Sequence, residues 1–161
     1  MIVIIMGVVG AGKTTVGQLL ASQLGWTFAD ADDFHPPSNV EKIRHGIALT
    51  DEDREPWIDR LRESISSWIA QGRNVVLACS ALKRSYRAKL CVGPQVHFVY
   101  LKGSAVLIAD RLRSRHGHFA GESILASQLA DLEEPENAIT VEIRDKPEQI
   151  VAEIRKALPI E

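Results

Sequence analysis

The chain has 161 residues, is 45% hydrophobic and 25% charged, and carries a formal net charge of -2, which is ordinary globular usage with room for one sizeable core. These values exclude the disordered, fibrous and membrane classes, offer a nucleic-acid partner no overall basic surface, and predict a single domain over residues 1–161. The two cysteines, Cys79 and Cys91, make no disulfide framework and lack metal-ligand company nearby, so a reducing cytoplasm is expected.

Residues 2–6 are an unbroken apolar run that stops at Gly7. The run is too short, and too poor in flanking basic residues, for a signal peptide or membrane span, and it predicts a first strand buried on both faces. A glycine loop follows, and Val16, Leu19, Leu20 and Leu24 at helical spacing predict a helix over 13–24 that Gly25 stops. Residues 27–30 read as a short second strand, and the prolines at 36 and 37 keep 31–37 from being helix. Ser38 to Glu41 has capping-box spacing and opens a short helix ending near Gly46. Ile58, Leu61, Ile65, Trp68 and Ile69 share one face of a longer helix that stops at Gly72.

Residues 74–79 read as a third buried strand, 83–90 as a helix, 97–101 as a fourth strand and 104–115 as a helix. The segment 116–121 breaks the pattern. Another helix runs through Leu125, Leu129 and Leu132 to Pro135, residues 138–143 form a fifth strand, and Pro147 starts a last helix. Strands and helices alternate throughout. The fold class is therefore α/β, a three-layer α/β/α sandwich with a five-stranded parallel sheet, whose ligands belong in the loops after the strands.

Gly7-Val8-Val9-Gly10-Ala11-Gly12-Lys13-Thr14 matches G-x-x-x-x-G-K-[ST] at every fixed position, directly after a strand and opening a helix. Backbone N–H groups from Gly7 to Thr15 wrap phosphates, the helix N-terminus favours negative charge, Lys13 reaches the outer phosphates and the Thr14 hydroxyl can ligate Mg2+. ATP with Mg2+ is the expected nucleotide. No carboxylate ends strand 74–79, which counts against GTPases and motor ATPases.

Asp30 and Asp32 follow the second strand, and in extended backbone residues two apart share a side. The functional reading gives Asp30 to water-mediated Mg2+ binding and Asp32 to orienting, or deprotonating, an acceptor hydroxyl; turn and capping chemistry is the competing explanation. Asp33 points the other way and reads as structural. Arg111 and Arg115 project from one face of a helix that leads into the glycine-bracketed lid, residues 115–122. One guanidinium can stack on the nucleotide base and the other can neutralise the transferring phosphoryl group; favourable placement at a helix C-terminus explains them equally well.

With these features in place, the chain resembles the nucleoside monophosphate kinase-like group of P-loop kinases, and within it the gluconate kinases. Besides the phosphate loop, the resemblance rests on Asp30-Ala31-Asp32, His35-Pro36, Asp53-Arg54 with Pro56-Trp57, Cys79-Ser80-Ala81-Leu82-Lys83 with Tyr86-Arg87, and Gly117-His118-Phe119. It covers nearly the whole chain. The run from Cys79 to Lys83 and the His-Pro and Arg-x-Pro-Trp elements set it apart from shikimate kinases, which share the fold and an Asp-x-Asp pair. The family's usual glycine between the two aspartates is Ala31 here, a departure that bears on loop geometry more than on reaction type.

The resemblance implies transfer of the ATP γ-phosphoryl group to the 6-hydroxyl of D-gluconate, with Lys13, Asp32 and Arg115 catalytic. Arg54, Lys83 and Arg87 are candidates for the acceptor carboxylate, His35 and His118 for its hydroxyls, and each of these residues also reads as a surface charge or helix cap. Trp57 reads as core or dimer packing, since gluconate kinases are typically homodimers. The alternatives are another small-molecule kinase of the same fold, acting on shikimate or a nucleoside monophosphate, and a nucleotide-binding module without turnover.

Overall fold

A computed structural model describes residues 1–116 and 120–160, with the side chains of 115, 116 and 120–123 outside the description. Five strands, β1 (Ile2–Met6), β2 (Thr27–Asp30), β3 (Val75–Ala78), β4 (Val96–Lys102) and β5 (Ile139–Glu142), form one parallel sheet in the order β2-β3-β1-β4-β5. Among the described residues seven α-helices connect and cover it: α1 (Lys13–Leu24), α2 (Pro37–Arg44), α3 (Asp51–Ala70), α4 (Arg84–Leu90), α5 (Ala105–His116), α6 (Ala120–Asp131) and α7 (Pro147–Ala157). No helix among the described residues is long and apolar enough to cross a membrane.

The apolar run of β1 is explained by its central place. All five of its residues are fully buried, and successive side chains of a strand point to opposite faces. Val3 and Ile5 join a core with Val16 and Leu20 of α1, Ile108 of α5 and Ile154 of α7. Ile2, Ile4 and Met6 join the opposite core with Ile58, Leu61 and Ile65 of α3 and Leu90 of α4. Two apolar cores, one on each face, are what make three layers, and each fully buried Leu or Ile in them contributes roughly 1.5–3 kcal/mol over exposure.

The strand order puts the switch point between β1 and β3, because the chain leaves β1 toward the β2 edge and leaves β3 toward β4. Ligand crevices open at the carboxyl ends of the strands at such a point. Gly7, after β1, donates its N–H to the Ser80 carbonyl, after β3, at 3.3 Å, so the two loops are tied together at this crevice.

Three local expectations are corrected. The 31–37 segment is not free of helix: Ala31–Phe34 makes one 3-10 turn, capped by the Asp30 carboxylate, which accepts from the Asp32 N–H at 3.0 Å. The prolines still end it, since Pro36 and Pro37 follow its C-cap His35. The short helix begins at Pro37, with Pro36 as N-cap and no side-chain cap, because a proline at the first helical position brings a preset φ and lacks only an N–H that would go unpaired there. The capping box lies instead at Thr50 and Asp53, where the Thr50 Oγ1 accepts from the Asp53 N–H at 3.1 Å and the Asp53 carboxylate accepts from the Thr50 N–H at 3.0 Å.

Candidate active site

The phosphate loop is a strained turn that only its glycines permit. Gly10 and Gly12 lie at φ 81° and 94°, the left-handed region where a Cβ is disfavoured. At Gly10 a Cβ would also stand 2.8 Å from the Leu112 Cγ. The Lys13 ammonium folds back to the Val8 carbonyl at 3.1 Å. Its pKa is lowered, first by burial and against the pull of Asp32. A desolvated cation beside a glycine-rich loop that opens a helix N-terminus is a receptor for phosphate charge. Thr14 and Thr15 are exposed in the first turn of α1, where backbone donors have no partner within the helix.

One side of this loop borders a cavity of about 380 Å3 lined by Gly10, Gly12, Thr15, Arg111, Asp145 and Pro147. Arg111 donates a hydrogen bond to the Ile143 carbonyl, which fixes its guanidinium beside a space suited to a planar base.

A second cavity, of about 580 Å3, brings together Asp32, His35, Arg54, Ser80, Lys83 and Tyr86. Trp57, buried, donates its Nε1–H to the Ala31 carbonyl at 2.7 Å, holding the turn that carries Asp32. Asp32 keeps accessible surface but is crowded by protein, and this burial, followed by the neighbouring Asp30 charge and opposed by Lys13, raises its pKa. A carboxylate held above its ordinary pKa is a better base. The Asp30 charge thus acts on Asp32 across a 3-10 turn and not across the extended backbone that was expected.

His35 stacks on Trp57 with ring centroids 4.4 Å apart. Burial, then the Arg54 charge, lowers its pKa, so the ring is neutral near pH 7. The buried Asn39 side chain donates from Nδ2 to the Asp53 carbonyl at 2.7 Å, which fixes the amide's orientation. The same nitrogen lies 3.2 Å from His35 Nδ1, so Nδ1 accepts and the proton of the neutral ring is left on Nε2 as a donor.

Arg54 and Lys83 converge on a partner the sequence reading missed. Lys83 Nζ lies 2.8 Å from the Asp51 carboxylate, Arg54 Nη1 lies 3.8 Å from the same oxygen, and the Tyr86 hydroxyl also donates to it. The Lys83 and Tyr86 hydrogen bonds hold the Asp51 carboxyl below its usual pKa. The i, i+3 spacing of Asp51 and Arg54 was the available signal.

Arg87 is corrected. It does not line the cavity that holds Asp32 and Lys83; it is buried and its guanidinium donates to the carbonyls of Ala81 at 2.7 Å, Leu82 at 2.9 Å and Glu133 at 2.7 Å. Those bonds hold Ala81 at φ 45°, a conformation costly for any residue with a Cβ, and so set the loop that presents Ser80 and Lys83. The Arg115 side chain and all of His118 lie outside the described residues.

Among the described residues no three His, Cys, Asp or Glu side chains cluster to hold a metal. The donors present, the exposed Thr14 hydroxyl and the Asp30 carboxylate near the loop, fit a Mg2+ that arrives with nucleotide phosphates and keeps waters as ligands.

Comparison with known proteins gives a consistent placement. The shikimate kinase family model matches residues 9–159. Gluconokinase of Gluconobacter oxydans is 44% identical, over 94% of this chain and 87% of the relative. The crystal structure of a gluconokinase from Sinorhizobium meliloti is 40% identical with a TM-score of 0.85, covering 94% of this chain and 87% of that one. Shikimate kinase from Aquifex aeolicus, 18% identical at a TM-score of 0.59, shares the fold alone. The chain is a kinase of the gluconokinase family, built on the fold it shares with shikimate kinases.

Proposed function

We propose that this protein transfers the γ-phosphoryl group of ATP to the 6-hydroxyl of D-gluconate, giving ADP and 6-phospho-D-gluconate. The observation that carries the acceptor assignment is that Arg54, Lys83 and Tyr86 line the cavity that also holds Asp32 and converge on one exposed carboxylate, that of Asp51. Two cations at the wall of one cavity, placed so that both reach a single carboxylate, can bind the carboxylate of an acidic acceptor in the same way. Gluconate carries its carboxylate at the end of the chain remote from the 6-hydroxyl, so gripping it there leaves the hydroxyl free for Asp32.

In the transfer, the 6-oxygen bonds to the γ-phosphorus, the bond from that phosphorus to the ADP oxygen breaks with its electron pair leaving on ADP, and the hydroxyl proton passes to Asp32 and then to water. Lys13 and the lid's Arg115 offset the charge on the moving phosphoryl group, and Arg111 holds the base. Thr14 and, through water, Asp30 hold the Mg2+, which neutralises phosphate charge when bound. His35 Nε2–H and His118 donate to hydroxyls along the acceptor. The whole chain acts as one catalytic domain with a lid at 115–122, working as a homodimer in the cytoplasm.

Arg54→Ala and Lys83→Ala are each expected to raise the gluconate KM by roughly ten- to a hundredfold, the effect of losing a charge-assisted contact, while the ATP KM moves by no more than about twofold. Initial rates at varied gluconate and fixed ATP measure it. A gluconate KM that stays put in both variants contradicts the acceptor assignment.

A further inference from the structure

Gln128, on α6, lines the acceptor cavity and reaches across 119 positions of sequence to the phosphate loop, where its Oε1 accepts from the Val9 N–H at 2.6 Å. This contact is short, half-buried and made to the residue next to Val8, whose carbonyl holds the Lys13 ammonium. A backbone N–H demands an oxygen, so the side-chain amide has one orientation and its nitrogen faces away from the loop. Among the described residues Nε2 makes no hydrogen bond, and no buried side-chain nitrogen or oxygen there lacks a partner. Nε2 therefore keeps contact with the open space of the cavity. One end of the amide is thus tied to the donor site and the other is presented to the acceptor site.

We propose that Gln128 holds the acceptor hydroxyl in register with the phosphate loop, its Oε1 locked by the Val9 N–H and its Nε2–H donating to the reacting hydroxyl oxygen. That oxygen has two lone pairs. One attacks the γ-phosphorus and the other accepts from Nε2, while Asp32 takes the proton, so the three groups together fix the line of attack. Water entering the same cavity lacks the remote carboxylate that Arg54 and Lys83 grip, and it competes only when the sugar hydroxyl is out of register.

The inference rests on the kinase reading for the reaction and on the gluconate reading only for the identity of the acceptor. The experiment compares wild type with Gln128→Met, which removes both ends of the amide, and Gln128→Glu, which keeps an oxygen for Val9 but has no N–H donor. At saturating ATP and gluconate, kcat in both variants is expected to fall roughly ten- to a hundredfold. The ratio of ADP released to phosphogluconate formed, near one in wild type, should rise above one as water takes the phosphoryl group. For Gln128→Met the melting temperature and the ATP Kd, read by calorimetry without acceptor, should stay close to wild type.

A Gln128→Glu enzyme turning over at the wild-type rate would show that the amide only ties α6 to the loop. Lost ATP affinity in Gln128→Met with a ratio held at one would show loop support. Tighter ATP binding with unchanged kcat would show that Oε1 merely keeps the place of a phosphate oxygen. Each of these overturns the proposal. Should wild type phosphorylate a different acceptor, the gluconate reading fails, and the same ratio read with that acceptor still tests Gln128.

Discussion

Lys13→Ala is expected to lower kcat by about a thousandfold or more, into the background of the assay, while the protein melts no lower than wild type. Among the described residues the Lys13 ammonium hydrogen-bonds to the Val8 carbonyl, and its pKa is lowered chiefly by burial. A lysine whose folded pKa lies below its unfolded value costs stability wherever it is charged, and that cost is full below the folded pKa and fades as pH rises toward 10.5. Near neutral pH the cation is therefore present for its action on phosphate and not for the core. Steady-state rates and thermal melts of the same preparation check both halves. Near-normal turnover in the variant would contradict the assignment of the loop as the donor site.

Asp32→Asn is expected to reduce kcat by about a hundredfold or more with ATP binding nearly unchanged, because an amide neither accepts the hydroxyl proton nor orients it as a carboxylate does. The raised pKa of Asp32 adds a pH signature. Its acid limb in kcat/KM should lie above the ordinary carboxylate value of 3.8, and Asp32→Asn should lose that limb. The stability sign follows from the same shift. A carboxyl with a raised folded pKa favours the fold while protonated, and that advantage is lost as pH climbs from 3.8 through the folded value. At neutral pH the ionised Asp32 is a burden on the fold, chiefly through burial and then through Asp30, and Asp32→Asn should melt at or above the wild-type temperature. Collapse of ATP affinity with a high residual kcat would instead make Asp32 a Mg2+ ligand and reverse the roles given to it and Asp30.

The phosphate loop and the alternation of strands and helices were legible because their signals are local. The apolar run of β1 and the Gly25 stop of α1 each depend on neighbours within a few residues, and the expected bounds of these two elements are those observed, whereas the helix expected to reach Pro135 ends at Asp131. The strand order was not legible, since which strand sits beside which is decided by packing on two faces. Arg87 was misread for a related reason: its partners are the carbonyls of Ala81, Leu82 and Glu133, and backbone acceptors leave no mark in a sequence. Nothing local marks the tie between Gln128 and Val9 either, for the two come together only when α6 folds over the loop. Asp30 and Asp32 show the intermediate case, where the neighbourhood was expected but the geometry that produces it was not.

The acceptor decides the account, and one assay addresses it directly: ADP release by wild-type enzyme with ATP and Mg2+, across D-gluconate, glucose, shikimate and a nucleoside monophosphate. Glucose is the sharpest control, because it keeps a 6-hydroxyl and lacks the carboxylate that Arg54 and Lys83 are held to read. The account predicts strong ADP release that depends on gluconate, accompanied by 6-phosphogluconate, with glucose, shikimate and the monophosphate near background. Equal turnover of glucose and gluconate, or preference for shikimate or the monophosphate, would contradict it.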